Sequence, residues 1–173
     1  MTKFLFLIFT ACFGLSAIAQ DDDSEKGASK LCNEISDKKA LSYYEKGRDK
    51  KKYKKPERLE YLMKAMQLEP EFAEANLAMG LEIVVRCKLE NAAFAPAVPF
   101  FLRSIASCPQ VHSEPYYYIG FDYYEQMKYD SAKKYLEKFI AFKDEDDKKF
   151  AKDYDAEMYQ AKEMVKAKKK KTV

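Results

Sequence analysis

Tryptophan is absent from this chain of 173 residues, histidine occurs once, and there are only four cysteines, five glycines and six prolines. A single imidazole, with no two cysteines at Cys-x-x-Cys spacing, leaves no ligand set for a tetrahedral zinc site. The scarcity of glycine likewise argues against phosphate-cradling loops, and no Gly-x-Ser-x-Gly motif accompanies His112. Carboxylates such as Glu82 and Glu90 are not brought together by any helical spacing and read as solvated positions. Neither sign of charge dominates: 31 Lys and Arg face 28 Asp and Glu, a formal charge of +3, short of the surplus that marks a nucleic-acid binder. The sequence therefore points to a non-enzymatic protein with no cofactor, no metal and no nucleic acid partner. Sustained strand alternation is also missing.

What is present begins with an export signal. Lys3 supplies a positive start, Phe4 to Leu15 carries no charge, and Ala17, Ile18 and Ala19 form a small-x-small cleavage site before Gln20. Residues 1–19 read as a signal peptide, because the apolar stretch is shorter than the roughly 20 residues of a membrane span. Acylation at Cys12 is the disfavoured alternative, since it would leave apolar Phe13 to Ala19 at the mature N-terminus. The expected location is periplasmic or outer-membrane associated. Cleavage leaves Cys32, Cys87 and Cys108 in a compartment that permits disulfides, so at most one bridge forms within a monomer. Buried free thiols are the favoured reading for Cys87 and Cys108.

The prolines and the apolar period set the architecture. Pro56, Pro96 and Pro115 open or precede apolar-periodic stretches, Pro70 and Pro109 follow them, and Pro99 falls within a first turn. Helices are predicted over 37–51, 56–69, 71–88, 96–108, 114–128, 131–142 and 146–168, an all-α fold. They fall into hairpins, with Gly47, Gly80 and Gly120 each inside the first helix of a pair, at intervals of 33 and 40 residues. Glycine inside a helix costs about 1 kcal/mol relative to alanine, so its recurrence at one structural position predicts close approach of a neighbouring helix.

Here the chain resembles the tetratricopeptide repeat, a helix-turn-helix unit of about 34 residues. In the third unit Tyr116 takes the Trp position of the family pattern, and Ile119, Gly120 and Tyr123 take its Leu, Gly and Tyr. Ala132 is its small residue and Leu136 its large apolar one, while Phe139 and Asp144 depart from it. In the second unit Met79, Gly80, Ala97, Phe101 and Pro109 match, given about five extra residues in the turn around Leu89 to Ala95. In the first, Tyr43, Gly47, Leu62, Ala65 and Pro70 match. The expected organisation is an N-terminal segment 20–36, repeats over 37–145 (about 37–70, 71–110 and 113–145), a capping helix 146–168 and a basic tail 169–173. The cap presents Phe150, Tyr154, Met158, Ala161 and Val165 as one stripe. Such an array forms a superhelix of about three hairpins closed by a polar-backed end.

The resemblance implies a peptide or partner-subunit groove along the first helices, lined by Tyr44 and Arg48, then Leu77, Leu81 and Val84, then Tyr117, Phe121 and Tyr124. Gly47, Gly80, Gly120, Tyr116, Tyr123 and Ala132 would serve packing within the repeats. Packing of the groove residues against neighbouring first helices is the competing reading, and exposure distinguishes the two. Two lysine clusters, Lys50 to Lys55 and Lys166 to Lys171, suggest an alternative role as a tether to anionic lipid or cell wall. A narrower likeness rests on a signal ending in Ala19-Gln20, on Cys32 to Glu34, on Lys46 to Tyr53, and on the Tyr116 to Phe121 and Lys152 to Asp155 runs. Together these look like the helical-repeat module that opens certain Bacteroidota cell-envelope proteins of the OmpA family, some of them associated with type IX secretion and gliding. The chain stops at Val173 with neither the propeller-like nor the peptidoglycan-binding domain of that family, so the resemblance implies protein partners of the envelope and not peptidoglycan binding.

Overall fold

A computed structural model of the chain describes residues 31–32, 34–145 and 154–167. The expected signal peptide, the lysines from Lys168 to Lys171, and Phe150 of the cap stripe lie outside the described residues.

Local chemistry sets where each helix starts and stops. Helix α1 (Lys38–Arg48) is capped by Asp37, whose carboxylate accepts from the Lys39 and Ala40 amides at 2.7 and 3.1 Å. It ends at Arg48 rather than Lys51, because the Asp49 carboxylate accepts from the Lys51 and Lys52 amides and turns the chain. Helix α2 (Lys55–Leu68) carries Pro56 in its first turn, and the Glu57 carboxylate accepts from the Lys54 amide at 3.0 Å. Helix α3 (Ala73–Glu90) stops at Asn91, which takes the left-handed conformation at φ 50°. A 3-10 turn (Ala95–Ala97) leads into α4 (Val98–Ser107). Helix α5 (Glu114–Glu125) gives way to a left-handed Met127 at φ 59°, and α6 (Tyr129–Glu145) and α7 (Asp155–Ala167) complete the order. All regular structure among the described residues is helical, an all-α array as expected.

The helices pack as consecutive pairs, α1 with α2, α3 with α4 and α5 with α6, and α7 lies against α6 and α5. One contact recurs in every pair. A Cβ added to Gly47 would lie 2.7 Å from Leu62 Cγ, one on Gly80 2.5 Å from Phe101 Cε1, and one on Gly120 2.7 Å from Leu136 Cγ. Each glycine thus admits a large apolar side chain of the partner helix onto its own backbone. The chain separations of these contacts are 15, 21 and 16 residues, so the second hairpin carries the five or six additional residues expected in its turn. Phe94 of that insertion folds back, placing its ring 5.1 Å from Tyr118 and 5.5 Å from Phe121.

The buried side chains form one cluster around Tyr44, Leu62, Phe72 and Met79 and a larger one around Phe101, Tyr118, Ile119, Leu136 and Phe139. Ahead of α1, the chain is strapped across the array. The Cys32 amide donates to Glu74 at 2.6 Å, and the Ser36 hydroxyl and Asp37 amide donate to Glu69 at 2.6 and 3.0 Å. Cys32 is bonded to Cys108 as a disulfide across 76 residues, with Cα atoms 5.9 Å apart. This corrects the expectation of a free thiol at Cys108: stacking of the second hairpin on the first carries the end of α4 to the segment before α1. Cys87 is free and buried, as expected.

Candidate functional site

The expected groove divides into an end that is closed and an end that is open. Tyr117 is buried at 4% exposure, its hydroxyl donating to Gln160 of α7 at 2.6 Å and its ring flanked by Phe139 and Tyr154 at 5.3 and 6.2 Å. Tyr44 packs on Phe72 at 4.8 Å, and Val84 sits in the larger cluster. These three are therefore core residues, not groove residues. Tyr44 is covered by Phe72, which opens the next hairpin, and Tyr117 by α6 and the cap. Phe121 and Tyr124 are half-buried beneath Phe94 and Tyr129, with ring centroids 5.5 Å apart in each pair. Leu77 is half-buried against the cluster of Ala73, Cys108 and Val111. Of the expected lining, Arg48 is exposed and Leu81 is half-buried at the edge of an open cleft. The packing set fares differently: Gly47, Gly80, Gly120, Tyr116 and Ala132 are buried, and the half-buried Tyr123 stacks on Tyr135 at 5.7 Å.

The open cleft lies between α1, α2 and α3 and has a volume of about 200 Å³. Its apolar lining includes the buried Leu62 and the half-buried Ala78 and Leu81, with the exposed Val85 at the edge; Arg48 and Lys50 are exposed beside it, and the buried Arg58 forms part of its wall. Arg58 Nη1 donates to Glu82 Oε1 at 2.7 Å, and Lys55 Nζ stands 3.7 Å from Glu82 Oε2. Both partners of the shorter pair are largely buried, with side chains 9% and 12% exposed, so screening by solvent is weak there. Glu82 is consequently not the solvated carboxylate its spacing suggested, whereas Glu90 is exposed. Across this bridge, a second cleft of about 230 Å³ is bordered by Leu59, Met63, Ile83 and Arg86. Arg58, Glu82, Val85 and Arg86 are the residues missed by reading the sequence. Their spacings are those of ordinary surface helix positions, and only the junction of the first two hairpins gathers them.

Three cations, Arg48, Lys50 and Arg58, line the open cleft against one carboxylate, Glu82. The segment from Lys46 to Arg58 that supplies them holds eight cations and two carboxylates, Asp49 and Glu57. Each of these accepts backbone amides of its own turn. Arg48 lies over the Tyr44 ring at 5.5 Å, and burial raises the Tyr44 phenol pKa, so that ring is neutral.

A separate polar cluster pins α7. The Tyr154 hydroxyl donates to Glu114 Oε1 at 2.7 Å and lies 2.9 Å from the Tyr118 hydroxyl, while His112 Nδ1 is 3.4 Å from Glu114 Oε2. Burial, reinforced by Glu114, pushes the Tyr154 phenol well above its usual range. The hydrogen bonds of the Tyr154 phenol fasten the cap to α5. Among the described residues, no group of three or more His, Cys, Asp and Glu side chains is placed to hold a metal ion. Nor is any described helix long and apolar enough to cross a membrane.

Among the described residues, the fold and clefts define an all-α array of helical hairpins with cation-lined openings at the junction of its first two hairpins. No family model matches the chain, and no curated protein matches it.

Proposed function

We propose that this protein is an exported, non-catalytic scaffold of the cell envelope, built on tetratricopeptide-type repeats, that holds a peptide or partner subunit. The observation carrying this reading is the threefold recurrence of a first-helix glycine receiving a large apolar residue of the second helix. Repeated hairpins in contact chiefly with their neighbours leave an extended surface along the array, the feature such folds use for binding. The resemblance to Bacteroidota envelope modules supplies the compartment and the expectation of a protein partner.

A photo-crosslinking residue placed in turn at positions 48, 63 and 159 tests the scaffold in intact cells. A discrete protein adduct at 48, or at the exposed Met63 of the second cleft, without one at the outward-facing Tyr159 of the cap, is expected. Absence of a specific adduct at both 48 and 63 would sink the reading.

The excess of cations from Lys46 to Arg58 favours a second reading, an envelope tether acting with the Lys166 to Lys171 cluster. Sedimentation with phosphatidylglycerol vesicles tests it. Binding that survives glutamine replacement of Lys50, Lys51, Lys52 and Lys54 together with deletion of 166–171 rules the tether out.

A further inference from the structure

We infer that the cleft between α1, α2 and α3 binds an acidic peptide bearing an aliphatic side chain, with Arg48 and Lys50 taking its carboxylates and Leu81 and Val85 its apolar group. The inference rests on the scaffold reading and names the place and the ligand chemistry.

Three observations converge on this cleft. The first is charge: Arg48, Lys50 and Arg58 line the cleft against the single carboxylate of Glu82, and the segment from Lys46 to Arg58 that supplies them carries eight cations and two carboxylates. Arg48, which lies over the Tyr44 ring at 5.5 Å, and Lys50 form no ion pair with any described carboxylate, so among the described residues an incoming anion meets two cations whose charge no carboxylate neutralises. Arg58, by contrast, is already held by Glu82 at 2.7 Å, which fixes the wall and keeps the cleft from being uniformly cationic.

The second is the apolar ridge beside those cations. Val85 is 50% exposed and Leu89 78% exposed, and with Leu81 they follow i, i+4, i+8 along one side of α3. At about 1.5 Å of rise per residue this ridge runs for about 12 Å, the length of three to four residues of extended chain at about 3.3 Å each. Such a stretch can set a carboxylate on the rim and an aliphatic group on the ridge at the same time.

The third is contrast with the rest of the array. At the other end Tyr117 is sealed by Gln160 of α7 and by Tyr154 just ahead of that helix, and Phe121 is covered by Phe94. Among the described residues, the molecule's own side chains close its aromatic end and none covers the cleft at its basic end. A flat bilayer touches the lysine loop from outside, but a recessed floor suits an inserted side chain. A continuous polyanion would leave that floor unused and bring its charge against Glu82.

Fluorescence anisotropy on the full chain with three labelled hexapeptides tests the inference: (Asp-Glu-Leu)2, (Asp-Glu-Ser)2 and (Lys-Lys-Leu)2. Saturable binding is expected for the first alone, weakening several-fold as salt rises from about 50 to 300 mM. Arg48→Glu combined with Lys50→Glu should weaken it at least about tenfold, and Val85→Asp by a similar factor. All three positions are exposed, so the variants should keep the parent thermal melt, and Tyr159→Ala serves as a silent control. Equal binding of the serine peptide would reduce the cleft to diffuse attraction and overturn the inference. So would binding to phosphatidylglycerol vesicles without peptide binding, a cleft occupied by a second copy in sedimentation velocity, or no binding by any peptide. In each of those cases a protein adduct at position 63, in the second cleft, would still uphold the scaffold reading, whereas no adduct at 48 or 63 would remove both.

Discussion

At residue scale, glycine and aspartate are governed by what surrounds them. Alanine is favoured over glycine in a helix by about 1 kcal/mol, yet a Cβ at Gly120 would stand 2.7 Å from Leu136 Cγ and 3.1 Å from the Leu136 backbone nitrogen. Overpacking of this kind costs about 1–3 kcal/mol, so Gly120→Ala should lower the urea midpoint. Combined with Leu136→Ala it should cost less than the sum of the two single changes, a coupling that a double-mutant cycle measures directly. Asp122 is buried, and burial raises its pKa above 3.8 despite the Gln126 amide donating at 2.6 Å. Because the folded carboxyl keeps its proton to higher pH than the unfolded one, stability should fall as pH rises from about 4 through the raised value, then level off. Asp122→Asn should flatten that slope and raise the melting temperature at pH 7, as thermal melts across pH 4 to 7 would report. The glycines were legible in the sequence because a repeated cost at a repeated position implies a repeated contact. Asn76 was not legible: it is fully buried, donates to the Pro70 and Phe72 carbonyls at 2.9 Å each, and accepts from Arg103 at 3.0 Å. A lone asparagine in a helix gives no sign of partners from another helix.

Helices were legible at element scale because proline edges and the apolar period are local properties. Their limits shifted where side chains cap the backbone, as Asp49 does when it ends α1 one turn early. The strap ahead of α1 was hidden, since its partners Glu69, Glu74 and Cys108 are supplied by later elements. Closing a loop of this length removes denatured-state entropy worth about 3–5 kcal/mol. Replacing Cys32 and Cys108 together by serine should cost about 2–5 kcal/mol in urea unfolding and abolish the effect of added dithiothreitol on the parent. Alkylation of the unreduced, denatured protein should label Cys87 and spare Cys32 and Cys108.

Across the whole molecule, α7 decides which surface is free. Its Gln160 and the Tyr154 just ahead of it cover Tyr117, and Tyr154 also meets Phe139 at 6.2 Å. Deleting residues 146–173 should therefore expose an aromatic face and drive concentration-dependent association, visible in sedimentation velocity, while the α1–α2 hairpin retains its hydrogen-exchange protection. The basic cleft lies among α1, α2 and α3 and should keep its ligand preference in that truncated chain if the chain stays folded.

The sequence by itself determined the all-α class, the hairpin repeat and the residues packed within each hairpin, because helix period, proline edges and intra-helix glycines depend on near neighbours along the chain. Only the tertiary structure decided which of the eight expected groove residues remain available. Burial at a hairpin junction depends on what the next element brings, and α7 and Phe94 filled the aromatic end. The disulfide and the Arg58–Glu82 bridge belong to the same class of outcome: each joins side chains that share no local pattern and meet only once the hairpins stack.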